Sequence, residues 1–144
     1  MPDDSLLKAT HTGDAAAVAA ALAGGCDINT RGDYGNSALN IAASNGFTEI
    51  AQLLIDKGAD VENVGGADLT PLMNAAVAGN IAIVRMLLAK GARVTDDLLM
   101  SVQTKVNILD ENTELGMVRP EAAQAWRQFL DFLVAERKKQ DGVV

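Results

Sequence analysis

The residue types that most often perform chemistry are scarce in this chain. His11 is its single histidine and Cys26 its single cysteine. Nucleophilic catalysis needs a nucleophile, a base and a carboxylate that orients the base, and no motif around His11 supplies that set. Tetrahedral zinc sites need several Cys and His ligands at short spacing, which one of each cannot provide. The sequence therefore predicts no catalytic residue, no metal site and no cofactor. His11 is interpreted as an exposed polar side chain or as one that bonds to a neighbouring loop.

Several other patterns that look functional have simpler interpretations. Arg31-Gly32-Asp33 spells the tripeptide that integrins bind, but a three-residue match often arises by chance. Gly65-Gly66 is not followed by Gly-Lys-Ser/Thr, so we expect it to relieve strain in a turn rather than to cradle a phosphate. Asp96-Asp97 is interpreted as helix capping and Glu111 as part of a solvated loop. Cys26 is interpreted as a small, partly buried thiol.

Composition places the chain among single globular domains and excludes several partners. Of 144 residues, 49% are hydrophobic and 22% are charged, which excludes intrinsic disorder. The net charge of −7 leaves no basic patch, so neither nucleic acid nor an anionic membrane is expected as a partner. The first residues lack the positive segment of a secretory signal, and the longest apolar run, nine residues, is too short to span a bilayer. A lone cysteine suits a reducing compartment, and we expect a cytoplasmic location.

A 33-residue internal repeat is the strongest signal in the sequence. Residues 33–61 align with 66–94 without gaps, and ten of the 29 pairs are identical. The N-terminal segment fits the same register more weakly. Each unit is predicted to hold two short helices and an extended loop, with its first helix capped by Asp4, Ser37 or Thr70. Glycines should end both helices of every unit, at Gly13, Gly46 and Gly79 and at Gly25, Gly58 and Gly91.

Small and branched residues recur at positions that imply stacking of these units. Alanines on the first helices would let neighbouring units approach closely, namely Ala9, Ala42, Ala43, Ala75 and Ala76. Larger apolar residues would fill the layer between units, namely Leu39, Ile50, Leu54, Leu72, Ile83 and Leu87. One unit cannot bury such a face alone, so the stability of the fold has to come from stacking.

At these residues the chain resembles the ankyrin repeat. Leu69-Thr70-Pro71-Leu72-Met73 is similar to the family's Thr-Pro-Leu-His segment, and Gly58-Ala59-Asp60-Val61-Glu62 is similar to its Gly-Ala-Asp-Val-Asn signature. The period also matches, over about residues 4–95. Asn40 and Met73 stand where the family has histidine. Asp68 replaces the hairpin glycine.

The resemblance implies an all-α, ankyrin-repeat solenoid of three helix-turn-helix units and a degenerate C-terminal capping helix pair. The units cover about 1–32, 33–65 and 66–94, the cap covers 95–144, and all of 1–144 is predicted to form a single domain. End units of such solenoids need a polar outer face, which the cap would supply.

The cap itself is predicted from helical periodicity. A helix near 96–110, a loop over 111–118 and a final helix from Pro120 to about Lys139 are expected. The final helix carries a wide apolar arc, formed by Ala122, Ala125, Trp126, Phe129, Leu130, Phe132, Leu133 and Val134. Either this arc packs on the preceding helix and loop, or Trp126 or Phe132 is partly exposed and marks a second contact surface, such as a dimer interface.

For function, the resemblance implies a non-enzymatic protein-binding module. Ankyrin partners usually bind the hairpin tips and the concave side of the first helices. Carried over by register, the partner-binding residues are Asp33, Tyr34, Asn36, Ala67, Leu69, His11, Ser44, Asn45 and Val77. Tyr34 is the expected anchor because aromatic side chains dominate interfaces, and the tips are expected to have no packing role. The alternatives are a homo-oligomeric assembly element that uses the C-terminal helix, so that the chain is a monomer or a homodimer, and a small enzyme on a helical scaffold.

Overall fold

The computed structural model describes residues 4–142, and within them the regular structure is helical, as predicted. The α-helices are α1 (Ser5–Thr12), α2 (Ala15–Ala23), α3 (Ala38–Asn45), α4 (Thr48–Asp56), α5 (Pro71–Ala78), α6 (Ile81–Ala89), α7 (Asp96–Glu114) and α8 (Pro120–Gln140). Two single-turn 3-10 helices, Asp33–Gly35 and Gly66–Asp68, lie between the helix pairs, and we call them the first and second hairpin tips.

The helices fall into two compact units, which divide between Ala92 and Arg93. The first unit contains the three helix pairs α1–α6, and the second contains α7 and α8. The second unit corresponds within two residues to the segment predicted as the cap. That the chain forms one domain over 1–144 stays a prediction.

Within the first unit the helix pairs stack in two layers. The first helices pack in the order α1, α3, α5, and the second helices pack in the order α2, α4, α6. The alanines and larger apolar residues assigned to the stacking layers are all buried, and Ala42, Ala43, Ala75, Ala76, Leu54, Ile83 and Leu87 are fully excluded from solvent. The stacking inferred from the repeat is therefore confirmed.

Two of the three predicted helix caps form. The Ser37 hydroxyl accepts the Asn40 N–H at 3.4 Å, and the Thr70 hydroxyl accepts the Met73 N–H at 3.3 Å. Asp4 occupies the N-cap position before α1, but its side chain makes no capping hydrogen bond, because its ψ of 2° is near-helical rather than extended. The prediction is wrong at that residue. Asp14 instead caps α2, by accepting the Ala17 N–H at 3.0 Å.

Gly65 and Gly66, where the second unit meets the third, let the backbone approach the side chain of Asn36 closely. Their interpretation as strain relief is therefore wrong. Gly65 has a φ of −100°, a value that any residue adopts, but a Cβ there would lie 2.1 Å from Asn36 Oδ1. The Gly66 N–H donates to that same oxygen at 2.9 Å. The left-handed conformations fall instead on Ala67 and Asp68, with φ of 57° and 59°.

We expect Gly65→Ala to lower the free energy of unfolding by about 1–3 kcal/mol, measured by urea denaturation. The added methyl group would displace the Asn36 amide and leave the Gly66 N–H without its acceptor. Asn36→Ala provides the control through a double-mutant cycle, since most of the loss at Gly65 should disappear once the amide is gone. Strict additivity of the two changes would contradict this explanation.

The second unit is a helical hairpin in which α7 and α8 pack along each other. Its buried side chains are Leu98, Val102 and Val106 from α7 and Ala123, Phe129 and Leu133 from α8. Trp126 and Phe132 are half-buried, and the Trp126 ring lies edge-on to Phe129 with centroids 5.8 Å apart. Ala125 is exposed, so the apolar arc of α8 is narrower than predicted.

Helix α7 continues for one turn beyond its predicted end. Glu111 is therefore an exposed helical residue, and the connection to α8 is only residues 115–119. The Thr113 hydroxyl donates to the Leu109 carbonyl at 2.7 Å, so a residue type that favours loops is held inside the helix. Gly116, with a φ of 73°, supplies the left-handed turn that follows.

Polar contacts join the last turns of α8 to the residues that begin the second unit. Arg137 Nη1 donates to the Val94 carbonyl at 2.7 Å and pairs with Asp96 at 3.1 Å. Its hydrogen bond to Asp141 raises the pKa of Arg137. The Thr95 hydroxyl caps α7 by accepting the Leu98 N–H at 3.2 Å, and Asp96 and Asp97 follow in the first turn, where acids were predicted.

Candidate functional site

The first hairpin tip presents Tyr34 in an unusual backbone conformation. Its side chain is 87% exposed, and its φ and ψ of 62° and 13° lie in the left-handed region. That region is unfavourable for a bulky residue, so the surrounding hairpin has to impose it. The next residue, Gly35, also has a positive φ, and a Cβ there would lie 2.5 Å from the Arg31 guanidinium.

Arg31 links this hairpin to the next one by hydrogen bonds to the backbone of both. Its Nε donates to the Gly35 carbonyl at 3.0 Å, and its Nη2 donates to the Val64 carbonyl at 2.8 Å. The arginine of the Arg-Gly-Asp tripeptide is thus engaged with backbone carbonyls at the surface of the fold. Together with the bond between Asn36 and Gly66, this shows that the expectation of tips without a packing role is wrong for Arg31 and Asn36.

Asn40 lies beneath the tips, 1% exposed, and forms what we call the asparagine network. Its Oδ1 accepts the Ser37 N–H at 3.1 Å and Asn63 Nδ2 at 2.7 Å. Its Nδ2 donates to the Leu69 carbonyl at 3.3 Å and to Asn74 Oδ1 at 2.9 Å. In the sequence Asn40 is visible only as a departure from the family's histidine, and a polar residue at a position that the repeat predicts to be buried is the signal that could have revealed it.

Two shallow depressions adjoin Tyr34. The first-unit depression, about 360 Å³, is lined by Asp4, Leu7, Lys8, His11, Gly32, Asp33, Tyr34, Asn36 and Ile41. The central depression, about 390 Å³, is lined by His11, Tyr34, Asn36, Asn40, Ile41, Ser44, Asn45, Gly66, Ala67 and Asn74. Because they share four residues, they form one continuous surface along α1, α3, α5 and both tips.

Seven of the nine residues predicted to bind a partner lie on this surface, namely Asp33, Tyr34, Asn36, Ala67, His11, Ser44 and Asn45. The other two, Leu69 and Val77, do not line either depression. Leu69 is half-buried, and its carbonyl accepts the Gly65 N–H at 2.9 Å. Val77 is 50% exposed near the end of α5. The binding role of all nine residues stays a prediction.

The chemistry that this surface offers is hydrogen bonding and aromatic contact. Among residues 4–142, no group of three His, Cys, Asp or Glu side chains is placed to hold a metal ion. His11 is exposed at the edge of the depressions, and Cys26 is half-buried with its Sγ 3.2 Å from the Ser5 hydroxyl. None of the described helices combines the length and the apolar character needed to cross a membrane.

We expect Tyr34→Gly to leave the free energy of unfolding unchanged or to raise it by up to about 1 kcal/mol. Glycine adopts the left-handed conformation without steric cost, and the exposed ring contributes no buried area, although the more flexible unfolded chain offsets part of the gain. Thermal and urea denaturation would measure the change. Tyr34→Ala, which keeps a Cβ in the same conformation, should be less stable than Tyr34→Gly, and a reversed order would contradict a backbone origin of the effect.

Comparison with known proteins gives one consistent result. The family model for ankyrin repeats, with three copies, matches residues 6–97. The Ankyrin repeat and KH domain-containing protein mask of Drosophila melanogaster is 48% identical over 59 residues, which are 41% of this chain and 2% of that protein. The probable E3 ubiquitin-protein ligase XBOS31 of Oryza sativa subsp. japonica is 37% identical over 91 residues, 62% of this chain and 20% of that protein.

A solved structure agrees with these sequence relatives. The crystal structure of the human ASB11 ankyrin repeat domain is 32% identical in sequence and superimposes with a TM-score of 0.59. The match covers 62% of this chain and 41% of that one. The chain therefore spans less than half of each of these three proteins.

Proposed function

The chain belongs to the ankyrin-repeat family, whose repeats generally serve as protein–protein interaction scaffolds, and we propose from this that it is a non-enzymatic module that binds a partner protein. The proposed contact surface consists of the two hairpin tips and the faces of α1, α3 and α5 beside them. It contains the nine residues that the repeat register selects, with Leu69 and Val77 at its margin.

Tyr34 is the observation that carries this proposal. An aromatic side chain that is 87% exposed contributes little to the stability of the isolated chain, yet the hairpin holds it in a left-handed conformation. Ala67 has the same conformation at the equivalent position of the second tip, so the turn is a feature of the repeat, and the exposed ring that it carries at Tyr34 is what points to a partner. Tyr34 also borders both depressions, so a partner that covers its ring would fill them at the same time.

The proposal includes the character and setting of the partner. The net charge of −7 favours a protein over nucleic acid or an anionic membrane. The single cysteine supports a cytoplasmic setting. The ubiquitin-ligase activity in the name of the rice relative belongs to that whole protein, of which this chain spans 20%, and it is not part of the proposal.

Partner capture followed by a matched pair of variants tests the proposal. A partner recovered from the source cells should bind Tyr34→Ala at least 30-fold more weakly than the unchanged chain, equivalent to about 2 kcal/mol. Met117→Ala is the control, because Met117 is similarly exposed, at 75%, but lies in the second unit. Retained affinity in Tyr34→Ala, with loss in Met117→Ala, would move the binding surface to the C-terminal helix pair.

Self-association through the C-terminal helix pair is a second candidate, and one observation favours it. The second unit exposes four large apolar side chains, Met100, Ile108, Leu115 and Met117, at 49–75%. These lie on α7 and the connection, whereas the sequence directed attention to Trp126 and Phe132 of α8, which are half-buried. Sedimentation equilibrium decides this candidate, since a concentration-independent monomer mass would exclude it.

A further inference from the structure

Apart from His11, no basic or acidic side chain lines the central depression, and in this it differs from the first-unit depression. Its polar side chains are asparagine and serine, with His11 and Tyr34 at the edge. The first-unit depression, in contrast, contains Asp4, Lys8 and Asp33. A ligand that depended on ion pairs would therefore find its counter-charges in the first-unit depression and not in the central one.

Two asparagines in the central depression, Asn36 and Asn74, use the oxygen of the side-chain amide in a hydrogen bond but not the nitrogen. Asn74 Oδ1 accepts from Asn40 Nδ2 at 2.9 Å, and Asn36 Oδ1 accepts the Gly66 N–H at 2.9 Å. These bonds fix which end of each amide is the acceptor. The Nδ2 groups of Asn36 and Asn74 make no hydrogen bond within residues 4–142, so both remain available as donors.

Asn45 supplies the opposite polarity. Its Nδ2 donates to the Ile41 carbonyl at 2.8 Å, which leaves Oδ1 as an available acceptor. The exposed hydroxyl of Ser44, in the same depression, can donate or accept. The central depression thus combines donors and acceptors in fixed side chains, beside the exposed ring of Tyr34 and the aliphatic side chain of Ile41.

We infer that the central depression binds an extended, uncharged stretch of polypeptide and recognises its main chain. Each peptide group offers one N–H donor and one C=O acceptor, which matches a neutral mixture of amide donors and acceptors. In a helix those groups are already bonded to each other, whereas an extended segment presents them at regular spacing. An apolar side chain of that segment would lie against Tyr34. The inference rests on the proposed function and names the chemistry of the partner at that site.

A displayed library of random nine-residue peptides, selected on the full chain, provides the probe. Selected peptides should carry few charged residues, and N-methylation of single backbone nitrogens in the strongest binder should weaken it at least tenfold at several positions. Asn74→Asp should also weaken it at least tenfold, because the variant keeps an acceptor for Asn40 but lacks the donor. Asn107→Asp on α7 makes the same charge change at an exposed position in the other unit and should alter affinity less than twofold.

The outcomes separate this inference from the proposed function. Peptides that lose affinity in Tyr34→Ala but tolerate both N-methylation and Asn74→Asp would overturn main-chain recognition and leave the proposed surface in place. Selected peptides that are highly charged, or that bind as helices by circular dichroism, would overturn it too. A selection on the full chain that enriches no peptide relative to a Tyr34→Ala, Asn74→Asp double variant would also overturn main-chain recognition. The affinity measurement with the captured partner decides the proposed function independently of this selection.

Discussion

Asn40→Ala should lower the free energy of unfolding by about 3–4 kcal/mol, one of the largest effects expected from a single substitution in this chain. The substitution removes an amide that is 1% exposed. It leaves the Ser37 N–H without its acceptor and Asn74 Oδ1 without its donor. Asn63 Nδ2 and the Leu69 carbonyl each lose one bond but keep another, to the Gly35 carbonyl and the Gly65 N–H. Of these groups the Ser37 N–H is buried and loses its acceptor at the full cost of desolvation, while Asn63, Leu69 and Asn74 are half-buried and lose part of their hydrogen bonding. The combined loss therefore exceeds that of one ordinary hydrogen bond.

Asn45→Ala is the matched control for this prediction. Asn45 lies in the same helix and has the same side chain, but it is exposed and makes one hydrogen bond, to the Ile41 carbonyl. We expect a change within about 0.5 kcal/mol, because alanine is also the better helix former. Urea denaturation followed by far-ultraviolet circular dichroism measures both variants. Losses of equal size would mean that the network adds nothing beyond local helix propensity.

The contrast between these two asparagines shows which parts of the fold the sequence reveals. Apolar spacing and terminal glycines act locally and recur at the repeat period, so they predict two helices in each of the three repeats of the first unit, and the first helix of each repeat ends at the glycine named for it. The bonds of Asn40 reach Asn63, Leu69 and Asn74, which are 23–34 positions away. Their partners become visible only when the stacked units bring the hairpins together. The same holds for the contact between Asn36 and Gly65, and for the bonds of Arg31 to backbone.

The candidate surface was predictable to a similar degree. Register alone places Tyr34 at a hairpin tip, and the structure finds it exposed there. Register cannot show that Asn36 holds the neighbouring hairpin or that Leu69 is half-buried, because both depend on contacts between units. In the second unit there is no repeat to compare with, and the end of α7 was placed four residues too early for that reason.

In the second unit, Leu133→Ala should lower the free energy of unfolding by about 3–5 kcal/mol. Leu133 is completely excluded from solvent in α8, the helix that packs along α7. Truncation to alanine would lose the transfer free energy of its methyl groups and leave a cavity in the core of the second unit. Trp126 is the only tryptophan of the chain and lies two turns earlier on α8, so its fluorescence reports on this unit directly.

Leu115→Ala removes the same atoms from the same unit and serves as the reference for that measurement. Leu115 is 70% exposed in the connection between α7 and α8, so its truncation should change stability by less than about 0.5 kcal/mol. A large difference between the two leucines would show that the helix pair is held by a packed core of its own. If Leu133→Ala instead cost no more than Leu115→Ala, the packing of α8 on α7 would contribute little, and the apolar arc of α8 would have to be explained by a partner, in line with the self-association candidate.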